Sequence, residues 1–327
     1  MYNIITMGSN TVDLFVHTDQ SGVIDIRSRL GNREFISYPM GAKMLITKYM
    51  ESFGGNGANA AVCCARLGLK TAYLGGVGRD DNGHKILANL KKEKVDFVGV
   101  RGEQSGFSIV LDSIEEDRTI LTYKGCNNDL KPKQLNFSKL KTKWFYLSSM
   151  LGESLGSMIK VAEYARHNKI RVAFNPSATL LEQETKKALD LLRYTDVLVL
   201  NKEEAESLVG NNLPEINIKK LLVYGPQIIA ITDGKNGAIA YYDGYYYKVK
   251  PSPNVKVVET TGAGDAFAAS LTTGIMLKKT FDFCLKMAMN NAESNISHPG
   301  AQEILLSRKK MFEIVAKDKR PIEKRKA

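Results

Sequence analysis

The run Glu259-Thr260-Thr261-Gly262-Ala263-Gly264-Asp265-Ala266-Phe267 sets three small residues where a turn becomes a helix that continues through Ala268, Ala269, Leu271 and Ile275. Small residues leave backbone N–H groups bare. At a helix N-terminus such groups, backed by the helix dipole, form a seat for a phosphate or a developing oxyanion. Asp265 falls in the first turn, so its carboxylate projects toward whatever the N–H groups of Ala263, Gly264 and Asp265 bind. An anion cradle beside a carboxylate base is what phosphoryl transfer to a hydroxyl requires. The same residues also fit an N-capped helix start in which Asp265 only complements the dipole.

A second constellation opens at Gly54-Gly55-Asn56-Gly57-Ala58-Asn59 and runs on as an alanine-rich helix to Gly68. Gly55, Asn56 and Asn59 offer a backbone N–H and two amides, and an amide both donates and accepts, as sugar hydroxyls require. Helix capping is the plainer role, and it suits Asn56 better than Asn59. Gly55-x-Gly57-x-x-Ala60, with Asp80 further on, also fits a dinucleotide fingerprint. That fingerprint closes the first strand of its fold, whereas this one follows a long β-rich insertion. Asp13 lies just past the apolar run 2–8 and the turn Gly8-Ser9-Asn10, at a strand end, where open α/β sheets bind ligands. Asn201 and Glu204 have the spacing of a capping box. Thr232-Asp233-Gly234-Lys235-Asn236-Gly237 is a tight loop after the strand 228–232, and alone it reads as a hairpin signal. No Gly-x-x-x-x-Gly-Lys-Ser/Thr occurs, so the chain is not a P-loop kinase.

These groups need a scaffold. From Trp144 onward strands and helices alternate: a strand to Ser148, a helix to His167, a strand at 171–175, a helix to Arg193, a strand at 196–200. Such alternation predicts a parallel sheet covered by helices on both faces. Helical patterns follow at 281–294 and 303–315, and Thr71 to Val77 reads as one strand. Two stretches break the pattern with short β-like pieces: Leu14-Phe15-Val16 and Lys43 to Thr47 in the first, Phe107 to Leu111 and Thr119 to Tyr123 in the second. Together they predict one small sheet.

The chain has 327 residues, 43% hydrophobic, enough for a large core. No apolar run approaches the ~20 residues of a membrane span, and the chain starts directly on Tyr2-Asn3-Ile4-Ile5, so a cytoplasmic protein is expected. Cys63, Cys64, Cys126 and Cys284 lack metal-site spacing and read as small buried residues. The net charge is +11, but residues 308–327 carry nine Lys/Arg against three Asp/Glu, so six of those charges lie in one tail. With no aromatic-interleaved basic stripe, this reads as a solvated basic tail rather than a nucleic-acid surface.

Thr-Thr-Gly-Ala-Gly-Asp-Ala-Phe at 260–267 resembles the C-terminal signature of the ribokinase-like (PfkB) carbohydrate kinases. Gly54 to Ala61 with Ala65-Arg66-Leu67-Gly68 resembles that family's N-terminal signature. The resemblance implies a three-layer α/β/α domain made of 1–13, 54–98 and 124–315, a β lid made of 14–53 and 99–123, and the basic tail 316–327. It implies ATP and Mg²⁺, with Asp265 as general base beside Gly262, Ala263 and Gly264. Asp13, Gly55, Asn56 and Asn59 would bind the sugar. Asn201, Thr232, Gly234, Gly237, Gly264, Asn290 or Asn291, and Gly300 in the loop His298-Pro299-Gly300-Ala301-Gln302 would bind the nucleotide. Glu204 would hold Mg²⁺ through water. Glu259 stands where many members have an Asp that helps bind a monovalent cation such as K⁺. The lid implies a homodimer. A sugar is the expected acceptor, with a nucleoside kinase or a silent sugar-binding relative as alternatives. Asp13, Asn56 and Asn59 suit a neutral polyol; Lys43 and Lys48 are the lid cations that a charged acceptor would need.

Overall fold

The computed structural model describes residues 1–28, 31–112 and 118–327, so parts of both expected lid stretches, 29–30 and 113–117, lie outside the described residues. In chain order, β1 (Tyr2–Met7) leads to β2 (Thr11–His17), then the hairpin β3 (Gly22–Ser28) and β4 (Gly31–Ser37), and β5 (Lys48–Gly54). Next come α1 (Asn56–Arg66), β6 (Thr71–Leu74), β7 (Gly76–Gly78), α2 (Asp81–Lys92), β8 (Val95–Phe97) and β9 (Val100–Gly102), and then β10 (Phe107–Asp112) and β11 (Arg118–Tyr123). The alternating region holds β12 (Thr142–Leu147), α3 (Gly152–His167), β13 (Arg171–Phe174), α4 (Ala178–Leu192), β14 (Val197–Asn201), α5 (Lys202–Val209), α6 (Pro214–Leu222) and β15 (Ile228–Thr232). Two more strands, β16 (Ala238–Tyr242) and β17 (Tyr245–Val249), precede α7 (Ala263–Met276), α8 (Phe281–Ile296), α9 (Arg308–Lys317) and β18 (Ile322–Lys326).

The main sheet has the order β18-β17-β16-β15-β14-β13-β12-β1-β6-β8. It is parallel from β15 to β8, and β16 to β18 pair antiparallel at one edge. Alternate side chains on each strand serve opposite faces, as a strand requires. Ile4, Trp144, Ala173, Val199 and Ala230 pack under α1, α7, α8 and α9, whereas Ile5, Phe145, Val172, Leu198 and Ile229 pack under α3 to α6. The result is a three-layer α/β/α domain whose strand C-terminal ends face one rim.

The two β-rich insertions meet in a four-stranded sheet of order β11-β10-β2-β5. Several expectations are corrected here. Lys43 to Thr47 is not a strand; the pairing with β2 starts at Lys48, because the β2–β5 register runs from Thr11 with Gly54 to His17 with Lys48. The small sheet takes in Thr11, so Asp13 sits inside a strand of it rather than beyond a strand end. The single strand expected at 71–77 is two, β6 in the main sheet and β7 paired with β9. The helix expected from Glu303 starts at Arg308, capped by Ser307, whose Oγ accepts from the Lys310 N–H.

The C-terminal tail is not free. β18 pairs along its whole length with β17. Just before it, Arg320 donates to both carboxylate oxygens of Glu293 at 2.8 Å each and to Asp318 at 2.6 Å, with all three side chains largely buried. Lys324 lies over the rings of Tyr245 and Tyr247, and Arg325 reaches Glu215. The charges of β18 itself stay at the surface while its backbone closes the sheet, so charge count alone was a poor guide to order. Among the described residues, no helix is long and apolar enough to cross a membrane.

Candidate active site

The turn before α7 is set by one backbone angle. Gly262 caps the helix with φ 81° and ψ −4°, a left-handed conformation that costs a side-chain-bearing residue ~1–2 kcal/mol. A Cβ there would also stand 2.6 Å from the Ala301 Cβ. The Ala263 N–H donates to Thr260 O at 3.2 Å, and the Ala266 N–H to Gly262 O at 2.9 Å. Ala263 therefore closes the turn and is not the anion donor expected from sequence. The N–H groups of Gly264 and Asp265 take no partner among the described residues and are the ones left open at this helix start.

Beside them stands the Asp265 carboxylate. Asn59 Nδ2 donates to Asp265 Oδ2 at 2.8 Å, Gln302 Nε2 donates to Asn59 Oδ1 at 2.9 Å, and Asn89 Nδ2 donates to Gln302 Oε1 at 2.9 Å. Each amide fixes the orientation of the next, so a chain of three side chains from α2 ends on one oxygen of the carboxylate. Asn59, expected to bind the sugar, has its amide nitrogen on Asp265 and its amide oxygen on Gln302, so its side chain orients the carboxylate. Burial pushes Asp265 up to about 6, against the lowering effect of the Asn59 hydrogen bond. The group remains ionised at neutral pH and is basic enough to take a hydroxyl proton.

α1 carries the second wall. Gly57 meets Gly8 so closely that a Cβ on either would fall within 2.7 Å of the other's backbone, which lets the helix start press against the end of β1. Gly55 precedes the helix with φ 89°. Asn56 Oδ1 accepts from the Ser9 N–H, the Ser9 Oγ–H and the Gly57 N–H, and no hydrogen bond among the described residues engages its Nδ2. Asp13 is buried, its pKa raised by that burial, and its Oδ1 has no hydrogen-bond partner among the described residues.

Three connected compartments follow the rim of the sheet. The largest, about 540 Å³, is lined by Thr232, Gly234, Gly237, Ala263, Gly264 and Phe267, with Met289, Ala292, Glu293 and Ile296 of α8. A middle compartment of about 270 Å³ shares Thr232 and Gly264 with it and holds Asn56, Asn175, Asn201, Glu204, Gly262 and Asp265. A small one of about 40 Å³ shares Asn56 and Ser177 with the middle one and adds Ser9, Lys124, Ser149 and Thr179. The geometry suits an elongated ligand pair meeting at Asp265.

Asn201 and Glu204 form the capping box of α5: Glu204 N–H to Asn201 Oδ1 at 2.7 Å, and Asn201 N–H to Glu204 Oε2 at 2.8 Å. Burial, and secondarily the charge of Asp265, pushes Glu204 up to about 7. Two carboxylates held above their usual range in one compartment fit a divalent cation, whose charge would relieve both. Because one Glu204 oxygen already caps the helix, contact through water fits better than direct ligation.

Other expected residues lie elsewhere. Asn290 bonds to Lys286 O and Asp318, and accepts from Arg320; Asn291 is buried against Cys63, Ser270 and the Leu306 N–H. Neither lines the large compartment, because the face of α8 turned to it is the stripe 289, 292, 293, 296. Gly300, with φ 94°, packs against Ser52 of β5 and Glu303 and does not line the large compartment. Glu259 is buried and accepts from the Thr261 N–H at 3.1 Å. Sequence reading missed Gln302 and Asn89, and also Ser149 and Ser177. The last two follow β12 and β13 directly, and the strand-end rule applied to Asp13 would have found them.

Comparison with known proteins agrees with this architecture. The profile of the pfkB family carbohydrate kinases matches residues 31–308. A ribokinase of Bacillus subtilis is 31% identical over 323 residues, covering 97% of this chain and 100% of the relative. A 5-dehydro-2-deoxygluconokinase of Clostridium tetani is 29% identical over 75% of this chain and 77% of the relative. Among solved structures, a putative ribokinase II of E. coli in complex with ATP and Mg²⁺ superposes with a TM-score of 0.81 at 18% identity, covering 97% of this chain and 100% of that one.

Proposed function

The chain belongs to the pfkB family of carbohydrate kinases, and we propose that it transfers the γ-phosphoryl group of ATP to a sugar hydroxyl with Asp265 as general base. The observation that carries this reading is the pairing of an oriented carboxylate with two open backbone N–H groups at the start of α7. The compartment lined by Thr232, Gly234, Gly237 and the α8 stripe takes the nucleotide, with its γ-phosphoryl end toward Gly264. The acceptor enters from the Asn56 side and places its hydroxyl at Asp265. As the hydroxyl oxygen attacks phosphorus and the bond to the β-phosphate oxygen breaks, its proton passes to Asp265. The N–H groups of Gly264 and Asp265 carry part of the charge on the transferring group. When bound with ATP, Mg²⁺ supplies neutralisation of phosphate charge, and Glu204 with Asn201 would hold it through its water shell. Asp13, with one free oxygen, takes an acceptor hydroxyl.

Two further assignments belong to this reading. Glu259 is the candidate ligand for an activating monovalent cation. The lid sheet is the homodimer contact: Tyr49, Ile120, Leu121 and Tyr123 are exposed on it, as are Ile24 and Phe35 of the adjacent hairpin. Apolar side chains on so small a sheet are what a second copy would cover. The test of the function is ADP release from Mg·ATP across a panel of sugars, nucleosides and sugar acids. Release with at least one sugar-type acceptor supports it, and release with none, from folded protein, sinks it.

A further inference from the structure

We infer that the acceptor is a monoanionic sugar acid whose carboxylate is received by Lys124 in the small compartment beyond Asn56. This rests on the kinase reading above and adds the charge of the acceptor to it. The small compartment opens through Asn56 and Ser177 into the one that holds Asp265. An acceptor with its reactive hydroxyl at Asp265 therefore extends its far end there. The space is about 40 Å³, room for about three waters, which is enough for a carboxylate.

Lys124 is the one charged side chain lining this space; the others of note are Ser9, Asn56, Ser149, Ser177 and Thr179. It directly precedes the short helical turn Gly125–Asn128, which places it at the compartment wall. Its ammonium makes no hydrogen bond or salt bridge among the described residues. The negative charge that acts on it, Asp13, influences it without forming an ion pair, so its donors remain available. Asp13 in turn is occupied from its own side by Thr11 and Ser108, and Glu259 adds negative charge beyond it. Among the described residues that line the small compartment, Lys124 is thus the one compensation for an anion.

A second observation points the same way. Ser149 Oγ is buried on the wall of the compartment and has no partner among the described residues. Buried hydroxyls rarely stay unpaired, and Ser149 lines the same compartment as Lys124, where its hydroxyl is free to donate to a ligand oxygen. The lid cations considered from sequence do not compete, since neither Lys43 nor Lys48 lines the compartment. A phosphate dianion is a poorer match, because no second basic residue lines the space.

The experiment measures kcat and KM for three acceptor sets: neutral aldoses and ketoses, the corresponding aldonic and keto-deoxy acids, and sugar phosphates. The enzymes are wild type, Lys124→Met and Lys124→Arg. The expected result is preference of the wild type for carboxylates. Lys124→Met should raise KM for them ~10- to 100-fold, the scale of one charge-assisted hydrogen bond, with kcat nearly kept. Lys124→Arg should restore much of that loss, and the KM values of neutral sugars should hardly move. Wild-type preference for neutral sugars or for sugar phosphates overturns the inference while leaving the kinase reading intact. An equal loss on neutral and acidic acceptors in Lys124→Met also overturns it, since that marks a structural role beside Asp13. Absence of transfer to any acceptor overturns both. Because Lys124 is exposed at the mouth and makes no internal bond, the variants should keep the wild-type melting temperature, which is checked alongside.

Discussion

Replacing Asn59 with leucine should move the acid limb of the pH profile of kcat/KM to higher pH. The Asn59 Nδ2–H to Asp265 Oδ2 bond, 2.8 Å long, stabilises the ionised carboxylate and opposes the burial that pushes this group up to about 6. A hydrogen bond to a charged group contributes ~1.5–3 kcal/mol. At roughly 1.4 kcal/mol per pH unit, its removal raises the pKa by about one to two pH units. Leucine keeps the branched outline of asparagine but is larger and carries no polar atom, so it keeps water out of the gap and no solvent donor substitutes. The base must be ionised in the free enzyme, so the sign is fixed: the limb rises from about 6 toward 7 to 8. Activity should fall ~5- to 50-fold at pH 6, where the wild-type base is already half protonated, and much less above pH 8. The assay is coupled ADP release at subsaturating acceptor from pH 5 to 9, with the melting temperature as a control because Gln302 Nε2 loses its acceptor. A limb that stays near 6 while the rate falls equally at all pH values would refute the idea that Asn59 acts on the ionisation of Asp265. A limb displaced downward would refute the sign.

The other outcomes are these. Gly262→Ala combines a left-handed backbone with a 2.6 Å approach to Ala301, together worth ~2–4 kcal/mol, so the melting temperature should drop by several degrees and the KM for ATP should rise. An unchanged melting temperature would mean that the turn relaxes freely. If Glu259 holds a monovalent cation, K⁺ should raise kcat over tetramethylammonium in wild type but not in Glu259→Ala; equal rates in both salts would remove the assignment. Light scattering should give a dimeric mass, and Leu121→Lys should lower it; a monomeric wild type would rule out the lid contact.

The signature around Asp265 was legible because it is local: a left-handed glycine, a helix start and a first-turn acid lie within a few residues. The three-layer sheet was legible for a similar reason, since strand and helix periods are written along the chain. Which face of a helix meets the site was not. Asn59 looked like a ligand residue until α1 packed against α7 and turned its amide onto Asp265. On α8, side chains at 290 and 291 face the tail and the core, while 289, 292, 293 and 296 face the cleft; one turn of packing decides between them. Gln302 could not be linked to Asn59 from sequence, because their bond joins positions far apart in the chain. β18 was hidden by its own composition, as a strand at a sheet edge needs only backbone partners and can keep its charged side chains in water.

The measurement that bears most directly on the central claim is single-turnover phosphoryl transfer by Asp265→Asn. The variant keeps the size of the group and can present its amide oxygen to Asn59 Nδ2, so folding and Mg·ATP affinity, read by melting temperature and calorimetry, should stay near wild type. Transfer to the acceptor should slow by ~10²–10⁴-fold, with no recovery as pH rises. Near wild-type transfer by a folded, ATP-binding Asp265→Asn protein would contradict the account.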